Sequence, residues 1–220
     1  MSPRFPLPVS LKEVRNYVDG EFVATGKTFN NVSPIDGSVL APVHEADAAL
    51  VDRAVRAARR ALDEGPWGRS TVEERAAALH RVADIIARRF DEFLQAEVAD
   101  TGRPVEQARK LDVYRGIANF RTFADLGKSA HGEFFETHLP DGTQLINYTK
   151  RKPLGVVASI SPWNLPILSL TWKAAPALIC GNTIICKPSE ETPSSAVLIA
   201  EAFHEAGVPP GVFNVVHGFC

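Results

Sequence analysis

The sequence predicts an α/β fold: the first half of a doubly wound parallel sheet, preceded by short hairpins and a mainly helical N-terminal region. Two observations support this class. In the last third of the chain, strand and helix patterns alternate in the order β-α-β-α-β. Of the 24 basic and 26 acidic residues, only six lie within residues 154–220, so this segment is mostly buried, as a sheet covered by helices is.

Two short hairpins are predicted before the first helix. Asp19-Gly20 separates two alternating runs between Asn16 and Val23, and Asp36-Gly37 does the same between Val32 and Val43. Both dipeptides are typical of tight turns between antiparallel strands.

Helical periodicity begins at Asp47, a predicted N-cap for an amphipathic helix with Leu50, Ala54 and Ala58 on its apolar side. A capping box of Ser70 and Glu73 is predicted to start the second helix. Further predicted landmarks are a third helix that ends at Gly102, a long helix after Pro104, and a strand from Gln144 to Lys150.

The last third is predicted to contain three parallel strands joined by right-handed crossover helices. Gly155–Ser161 is a run of small and β-branched residues, typical of a strand covered on both faces. Thr183–Cys186 and Val212–Val216 are the second and third strands, and the connecting helices run from Pro166 to Cys180 and from Pro193 to Ala206.

Composition argues against several classes of protein. The 220 residues are 45% apolar and 23% charged, the balance of a globular chain, and the net charge of −2 does not suit a nucleic-acid binder. No run approaches the roughly 18 apolar residues of a membrane span, and Met1–Ser10 lacks the apolar segment of a secretory signal. Three cysteines without a CxxC pair predict no disulfide framework and no metal site, and favour a cytoplasmic protein.

Two loops follow the carboxyl ends of the first two predicted parallel strands, where open α/β sheets bind ligands. In the first, Ser161–Pro166, the Asn164 amide is placed to donate to an oxygen that gains charge. In the second, Lys187 and Glu190 suit an adenosine ribose, and the carboxylate repels a 2′-phosphate, which favours NAD over NADP. Taken singly, Asn164 also fits a helix cap and the second loop a solvated turn, and the chain lacks a G-x-G-x-x-G fingerprint. Spacing and composition leave these alternatives open.

Four motifs, in order and spacing, resemble the aldehyde dehydrogenase superfamily. They are Ser161-Pro162-Trp163-Asn164, Gly181-Asn182-Thr183, Lys187-Pro188-Ser189-Glu190 and the run from Gly207 to Val216. The resemblance begins at Tyr17-Val18-Asp19-Gly20 and covers nearly the whole chain. Within the superfamily, the sequence looks most like the 2-hydroxymuconic and 2-aminomuconic semialdehyde dehydrogenases, through Val43–Ala46, Arg115–Phe120 and Val215–Phe219.

The resemblance implies a Rossmann-like sheet and an NAD-dependent oxidation of a small aldehyde to an acid, in proteins that are homo-oligomers. Asn164 would be the side-chain donor to the reacting oxygen. The implied cofactor contacts are Ile160, Ser161, Pro162 and Trp163 at the nicotinamide, Lys187 and Glu190 at the ribose, Pro188 and Ser189 shaping that turn, and Gly218 beginning the loop under the adenine. The family uses a cysteine thiolate as nucleophile and a glutamate as base.

The chain departs from the family at Cys220, where relatives continue with Gly-Phe-Gly into a further loop and a catalytic domain. The implied division is residues 1–139 for N-terminal hairpins and helices, 140–152 for part of an oligomerisation hairpin, and 153–220 for half of the NAD-binding domain. We therefore expect an N-terminal, inactive portion of the enzyme. The alternatives are a non-catalytic NAD-binding or subunit-interaction module, or a gene remnant.

Several other residues carry expectations. Cys180 and Cys186 are predicted to be inert core thiols, and His217 a surface residue. Muconic semialdehydes are anionic, and Arg115 on the long helix offers a bidentate fork for a carboxylate. An ordinary solvated or ion-paired arginine is the alternative for Arg115.

Overall fold

The structure is a computed structural model that describes residues 13–219; the predictions on Met1–Ser10 and on Cys220 lie outside this range. The N-terminal strands and helices are β1 (Asn16–Val18), β2 (Glu21–Val23), β3 (Thr28–Val32), β4 (Val39–His44), α1 (Ala48–Asp63), α2 (Val72–Arg88), α3 (Phe90–Thr101) and α4 (Val105–Gln107). They are followed by a π-helical segment (Ala108–Val113), α5 (Tyr114–Lys128), β5 (Phe134–His138), β6 (Gln144–Tyr148), β7 (Val156–Ile160), α6 (Pro166–Ile179), β8 (Thr183–Lys187), α7 (Ser194–Glu205) and β9 (Phe213–Val215).

The predicted parallel half-sheet is confirmed. Strands β7, β8 and β9 pair in parallel, with β8 in the middle, and helices α6 and α7 connect them. Ile160 pairs with Lys187, and Cys186 pairs with Val215. The three strands therefore end together, and the turns that follow them share one edge of the sheet.

The first hairpin extends this sheet, which the sequence did not predict. Strand β1 pairs with β2 on one side and antiparallel to β9 on the other, through Tyr17 and Val215, so the order is β2-β1-β9-β8-β7. The predicted Asp19-Gly20 turn is confirmed: both residues have positive φ, 57° and 82°, as a type I′ turn requires. The N-terminal hairpin thus covers the edge that β9 would otherwise expose.

Strand β7 lies at the opposite edge of the sheet, where the described residues provide no further neighbour. The prediction that this strand is covered on both faces is wrong in part, because Ala158 is exposed and Ile160 is 62% exposed. Small and β-branched residues favour a strand, but they do not fix how much of it is covered.

Local signals place the helix starts well, with one shift. Asp47 caps α1 as predicted, since its side chain accepts from the Leu50 amide at 2.8 Å. The capping box of α2, however, is formed by Thr71 and Glu74 rather than by Ser70 and Glu73. The Ser70 hydroxyl instead donates to the Trp67 carbonyl, at 2.6 Å, and closes the preceding turn.

Two features of the central region escaped prediction. The long helix after Pro104 is confirmed, but it contains the π-helical segment, which widens the turn before α5. The strand predicted at Gln144–Lys150 is confirmed as β6, and its partner is β5. Adjacent Phe134 and Phe135 break the alternation expected of a strand, and both are exposed. The domain limits at 139/140 and 152/153 stay predictions, although β5 and β6 form one hairpin across the first of them.

The main core lies between the sheet and helices α2, α5, α6 and α7. Phe203 of α7 stacks on Phe213 of β9 with ring centroids 4.0 Å apart. On the other face of the sheet, α1 packs Leu50 and Ala54 near Ile185. This three-layer packing holds the strand ends in fixed positions. None of the helices in residues 13–219 has the length and apolar character that a bilayer crossing requires.

Candidate active site at the carboxyl edge of the sheet

The turns that follow β7, β8 and β9 lie side by side. The Ser161 amide donates to the Lys187 carbonyl at 3.0 Å, and the Val216 amide donates to the Cys186 carbonyl at 3.0 Å. The expectation that the Asn164 and Glu190 turns lie above neighbouring parallel strands is confirmed by this pairing. Such an edge is the usual ligand site of an open α/β sheet.

The turn after β8 presents a donor and an acceptor together. The Lys187 ammonium donates to Glu190 Oε2 at 3.4 Å and to the Pro188 carbonyl at 3.1 Å. Both charged side chains keep part of their surface in solvent, 19% for Lys187 and 25% for Glu190. Pro188 and Ser189 are buried, and the Ser189 hydroxyl accepts from the Glu191 amide at 3.3 Å. The buried Pro188 and Ser189 therefore fix the turn, and the Lys187–Glu190 pair remains partly exposed to solvent.

The turn after β7 is more open. Pro162 and Asn164 are exposed, and Trp163 and Ile160 are exposed by 64% and 62%. Ser161 is buried, and its hydroxyl has no hydrogen-bond partner within residues 13–219. The edge therefore combines exposed apolar surface with an unsatisfied buried hydroxyl, which indicates a site that a ligand completes.

Gly218 is buried near Glu45, and the preceding His217 corrects a prediction. His217 is 2% exposed, not a surface residue. Its amide donates to Asn16 Oδ1 at 2.7 Å, and its carbonyl accepts from the Ala46 amide at 2.7 Å, so N-terminal segments cover it. Burial lowers the pKa of His217 to about 3. The sequence around His217 does not reveal this burial, because the segments that cover His217 lie far away in the chain.

Arg103 contacts the first turn from behind, and Asp112 lies against Arg103. Sequence reasoning missed both residues. Arg103 Nη2 donates to the backbone carbonyl of Asn164 at 2.8 Å. Its Nε lies 3.4 Å from Asp112 Oδ2, and the Asp112 side chain is fully buried. Burial raises the pKa of Asp112, and the Arg103 charge lowers it.

Two buried carboxyl groups of α3 reach the N-termini of both crossover helices. Glu97 Oε1 accepts from the Ile167 amide of α6 at 3.4 Å, and Asp100 Oδ2 accepts from the Ser194 amide of α7 at 2.8 Å. Burial raises the pKa of Glu97 to about 8 and that of Asp100 to about 6. A signal was present: Phe93, Glu97 and Asp100 have the spacing of one helix face, so two acids share a side with a core residue.

Arg115 is exposed in the first turn of α5, and none of the ion pairs among residues 13–219 includes it. The next residue, Gly116, packs against Ile167 so closely that a Cβ would lie 2.9 Å from its side chain. The backbone at Arg115 therefore lies near the start of α6, which follows the Asn164 turn, and the Arg115 side chain is exposed.

The two described cysteines differ from each other. Cys186 is buried in β8 as predicted, and burial raises the pKa of its thiol. Cys180 is exposed, so its prediction as a core thiol is wrong. It follows α6 at the end away from Asn164, about 21 Å along the helix at 1.5 Å per residue, and lines a cavity of about 650 Å³ with Arg75 and Lys128. Within residues 13–219, no cluster of three or more His, Cys, Asp or Glu residues is arranged to bind a metal.

The chemistry of the edge fits a dinucleotide. A lysine donor and a carboxylate acceptor, 3.4 Å apart on one turn, suit the two hydroxyls of a ribose. The exposed faces of Ile160 and Trp163 suit a flat ring.

Residues 22–219 match the model of the aldehyde dehydrogenase family, so the chain belongs to that family. A 2-aminomuconic 6-semialdehyde dehydrogenase from Pseudomonas sp. is 57% identical over 209 residues, and a 2-hydroxymuconic semialdehyde dehydrogenase from Pseudomonas sp. strain CF600 is 56% identical over 211. Each match covers 95% of this chain but only 42% and 43% of the relative, so the chain spans about two fifths of their length.

Solved structures give the same result. An aldehyde dehydrogenase from Bacillus cereus in complex with NAD⁺ superposes with a TM-score of 0.90 at 39% identity. The superposition covers 96% of this chain and 42% of that protein.

Proposed function

We propose that this chain forms the NAD-binding portion of an aldehyde dehydrogenase that oxidises an acidic semialdehyde to a carboxylic acid. One observation carries the proposal: the Asn164 turn and the Lys187–Glu190 turn are joined at the carboxyl edge by the hydrogen bond from the Ser161 amide to the Lys187 carbonyl. A dinucleotide-dependent enzyme must hold its cofactor at a fixed position relative to the group that stabilises the reacting oxygen. Here the ribose-binding pair Lys187 and Glu190 and the Asn164 amide would have these two roles.

In this proposal each turn holds one end of the cofactor. Lys187 and Glu190 bind the adenosine ribose, and Pro188 and Ser189 fix the shape of that turn. Gly218 begins the loop that passes under the adenine. The nicotinamide end is lined by Ile160, Ser161, Pro162 and Trp163.

The bound NAD supplies the hydride acceptor, and this chain supplies binding, orientation and an oxyanion donor. The exposed amide of Asn164 donates to the substrate oxygen as that oxygen gains negative charge. Neither described cysteine suits the nucleophile: Cys186 is buried with a raised pKa, and Cys180 lies at the far end of α6. The free thiols agree with a reducing compartment, so we infer a cytoplasmic enzyme.

The substrate class follows from Arg115. Its side chain is exposed and lacks an acidic partner in the described residues, and the adjacent Gly116 packs against Ile167 near the start of α6. A guanidinium in that position is available for bidentate binding of a carboxylate on the aldehyde. The 2-aminomuconic and 2-hydroxymuconic semialdehydes named for the two Pseudomonas relatives carry such a carboxylate.

A second function, subunit interaction, is favoured by the β5–β6 hairpin. Phe134, Ile146 and Tyr148 are exposed by 73%, 71% and 76%, which is unusual for apolar side chains on one short hairpin. We propose that this hairpin joins subunits of a homo-oligomer.

The first experiment is an isothermal titration of the 220-residue chain with NAD. We expect saturable binding, weakened about tenfold by Glu190→Ala because a charged hydrogen bond to the ribose is lost. Glu191→Ala is the matched control, since Glu191 is the exposed neighbour in the same turn, and it is expected to leave the affinity unchanged. Equal effects of both variants would refute the assignment of the ribose site.

The second experiment tests turnover. Residues 13–219 are joined to the part of the 2-aminomuconic relative that the match does not cover, and reduction of NAD by succinic semialdehyde is followed by absorbance. Activity that Asn164→Ala lowers about 100-fold supports the proposal. NAD binding with no turnover in this chimaera would favour the non-catalytic module instead.

A further inference from the structure

We propose that Arg103 is a positioning residue: with Asp112 and Glu97 it forms a clamp that fixes the backbone from Asn164 to Ile167 and thereby orients the Asn164 amide. The orientation of Asn164 rests on the proposed function, whereas the clamp itself rests only on the contacts below.

Few hydrogen bonds within the Asn164 turn stabilise its conformation. Leu165, the N-cap residue of α6, makes no side-chain capping bond, and Pro166 has no amide hydrogen to donate. Within the turn, the Ser169 amide returns to the Leu165 carbonyl at 2.8 Å. The backbone groups of Asn164 and Ile167 are instead satisfied by side chains from α3 and the residues just after it. The conformation of this turn therefore depends on groups distant in sequence.

Arg103 provides the first contact, through two parts of one guanidinium. Its Nη2 donates to the Asn164 carbonyl at 2.8 Å while its Nε faces Asp112 at 3.4 Å. A planar guanidinium can make both contacts at once, but a lysine ammonium is a single point. The arginine thus ties the turn to a fixed group in the helical layer.

Asp112 anchors the arginine. Its side chain is fully buried, and neither of its oxygens has a hydrogen-bond partner within residues 13–219. Arg103 is its ion-pair partner among those residues. A buried carboxylate strongly disfavours loss of its counter-charge, so Arg103 is held in place. Asp112 lies in the π-helical segment, an arrangement that is frequent at functional sites.

Glu97 provides the second contact, three residues further along the turn. Its Oε1 accepts from the Ile167 amide, and its Oε2 lies 2.5 Å from the Ser195 hydroxyl of α7. One carboxyl group thereby links the start of α6 to the start of α7. Arg103 and Glu97 together hold the turn at both of its ends.

The clamp is tested by amide hydrogen exchange on the 220-residue chain, which requires neither NAD nor activity. We expect Arg103→Ala to speed exchange of the Ile167 and Ser169 amides about tenfold, while amides of β8 stay protected. Arg109→Ala is the control, a more exposed arginine that pairs with the surface acids Asp91 and Glu106. Unchanged exchange at Ile167 and Ser169 in Arg103→Ala overturns the clamp.

If Arg103→Ala does not fold, the same exchange measurement is made on Arg103→Lys, because this variant keeps a positive charge beside Asp112. It is expected to fold and to show intermediate exchange in the turn. Exchange identical to that of the unaltered chain would overturn the two-point contact.

The orienting role is tested in the chimaera. Arg103→Ala is expected to lower kcat about tenfold and to leave the Kd of NAD within about twofold. The reason is that a displaced Asn164 amide stabilises the transition state less well, whereas NAD binding does not depend on that amide. Arg103→Lys should recover part of kcat. A weaker Kd with unchanged kcat would contradict the orienting role. A chimaera without NAD-dependent activity would refute the proposed function, and the exchange result would still decide the clamp.

Discussion

Replacing Glu97 by glutamine should make the folded state less sensitive to alkaline pH. Burial raises the pKa of Glu97 to about 8, whereas an unfolded glutamate titrates near 4.5. The folded state therefore keeps the proton on the Glu97 carboxyl to a higher pH than the unfolded state does. The contribution of this protonated carboxyl to the free energy of unfolding is fully present below about pH 4.5 and is lost as the pH rises through about 8. The side chain introduced by Glu97→Gln mimics the protonated acid, since its amide donates toward Ser195 while its oxygen accepts from Ile167.

The magnitude follows from the two pKa values. Their separation corresponds to roughly 5 kcal/mol over the whole range, and to about 3 kcal/mol between about pH 5.5 and pH 8.5. Asp100, whose pKa burial raises to about 6, titrates in both proteins, so only its charge repulsion with Glu97 differs between them. The stability advantage of the Glu97→Gln variant over the unaltered chain should therefore grow by about 3 kcal/mol between about pH 5.5 and pH 8.5.

Urea unfolding, followed by tryptophan fluorescence, to which buried Trp67 contributes, measures this difference at both pH values. Glu106→Gln is the control, because the Glu106 side chain is 74% exposed and the effect of its replacement should not change with pH. A stability difference that stays constant between the two pH values would show that Glu97 is ionised in the folded state, and the reasoning about its burial would be refuted.

Three further results are expected. Glu190→Gln, with Glu191→Gln as control, should raise the affinity of the chain for NADP relative to NAD about tenfold in titration calorimetry, because it removes a negative charge beside the 2′-phosphate. In the chimaera, Arg115→Ala should raise the KM for succinic semialdehyde about tenfold or more and leave that for butanal unchanged, while Lys110→Ala affects neither in steady-state assays. The outer edge of β7 has no neighbouring strand within residues 13–219, so we expect the chain to self-associate there, and Ala158→Lys should reduce that association in analytical ultracentrifugation.

Each of these expectations has a contrary outcome. An unchanged NADP to NAD ratio would place Glu190 away from the ribose. Equal changes in KM for both aldehydes would make Arg115 an ordinary surface charge. Self-association that persists in Ala158→Lys would point to another surface, such as the β5–β6 hairpin.

Local chemistry explains why much of the fold could be predicted. The tight turn of the first hairpin requires positive φ at both central residues, and Asp-Gly is one of the few pairs that adopt it readily. The Asp19-Gly20 pair therefore marks this turn in the sequence. The long apolar runs of the last third can be satisfied only by strands and helices that cover one another. The turns after β7 and β8 then follow from the parallel pairing alone, so the position of the candidate site was accessible from the sequence.

What escaped prediction depends on contacts between distant segments. The burial of His217 is set by Asn16 and Ala46, about two hundred and one hundred and seventy residues away in the chain. The one-residue shift of the α2 capping box depends on Ser70 bonding backward to Trp67, a choice that two equivalent S/T-x-x-E patterns leave open. The Arg103 contact with the Asn164 carbonyl has no sequence signature, because any backbone carbonyl can accept it.

The central claim is that the turns after β7 and β8 together bind NAD. Amide hydrogen exchange of the 220-residue chain, with and without saturating NAD, tests it most directly. We expect NAD to slow exchange within residues 161–169 and 187–192 and to leave the β5–β6 hairpin unaffected. Protection confined to the segments around the Cys180 cavity, or no protection in either turn, would contradict the claim.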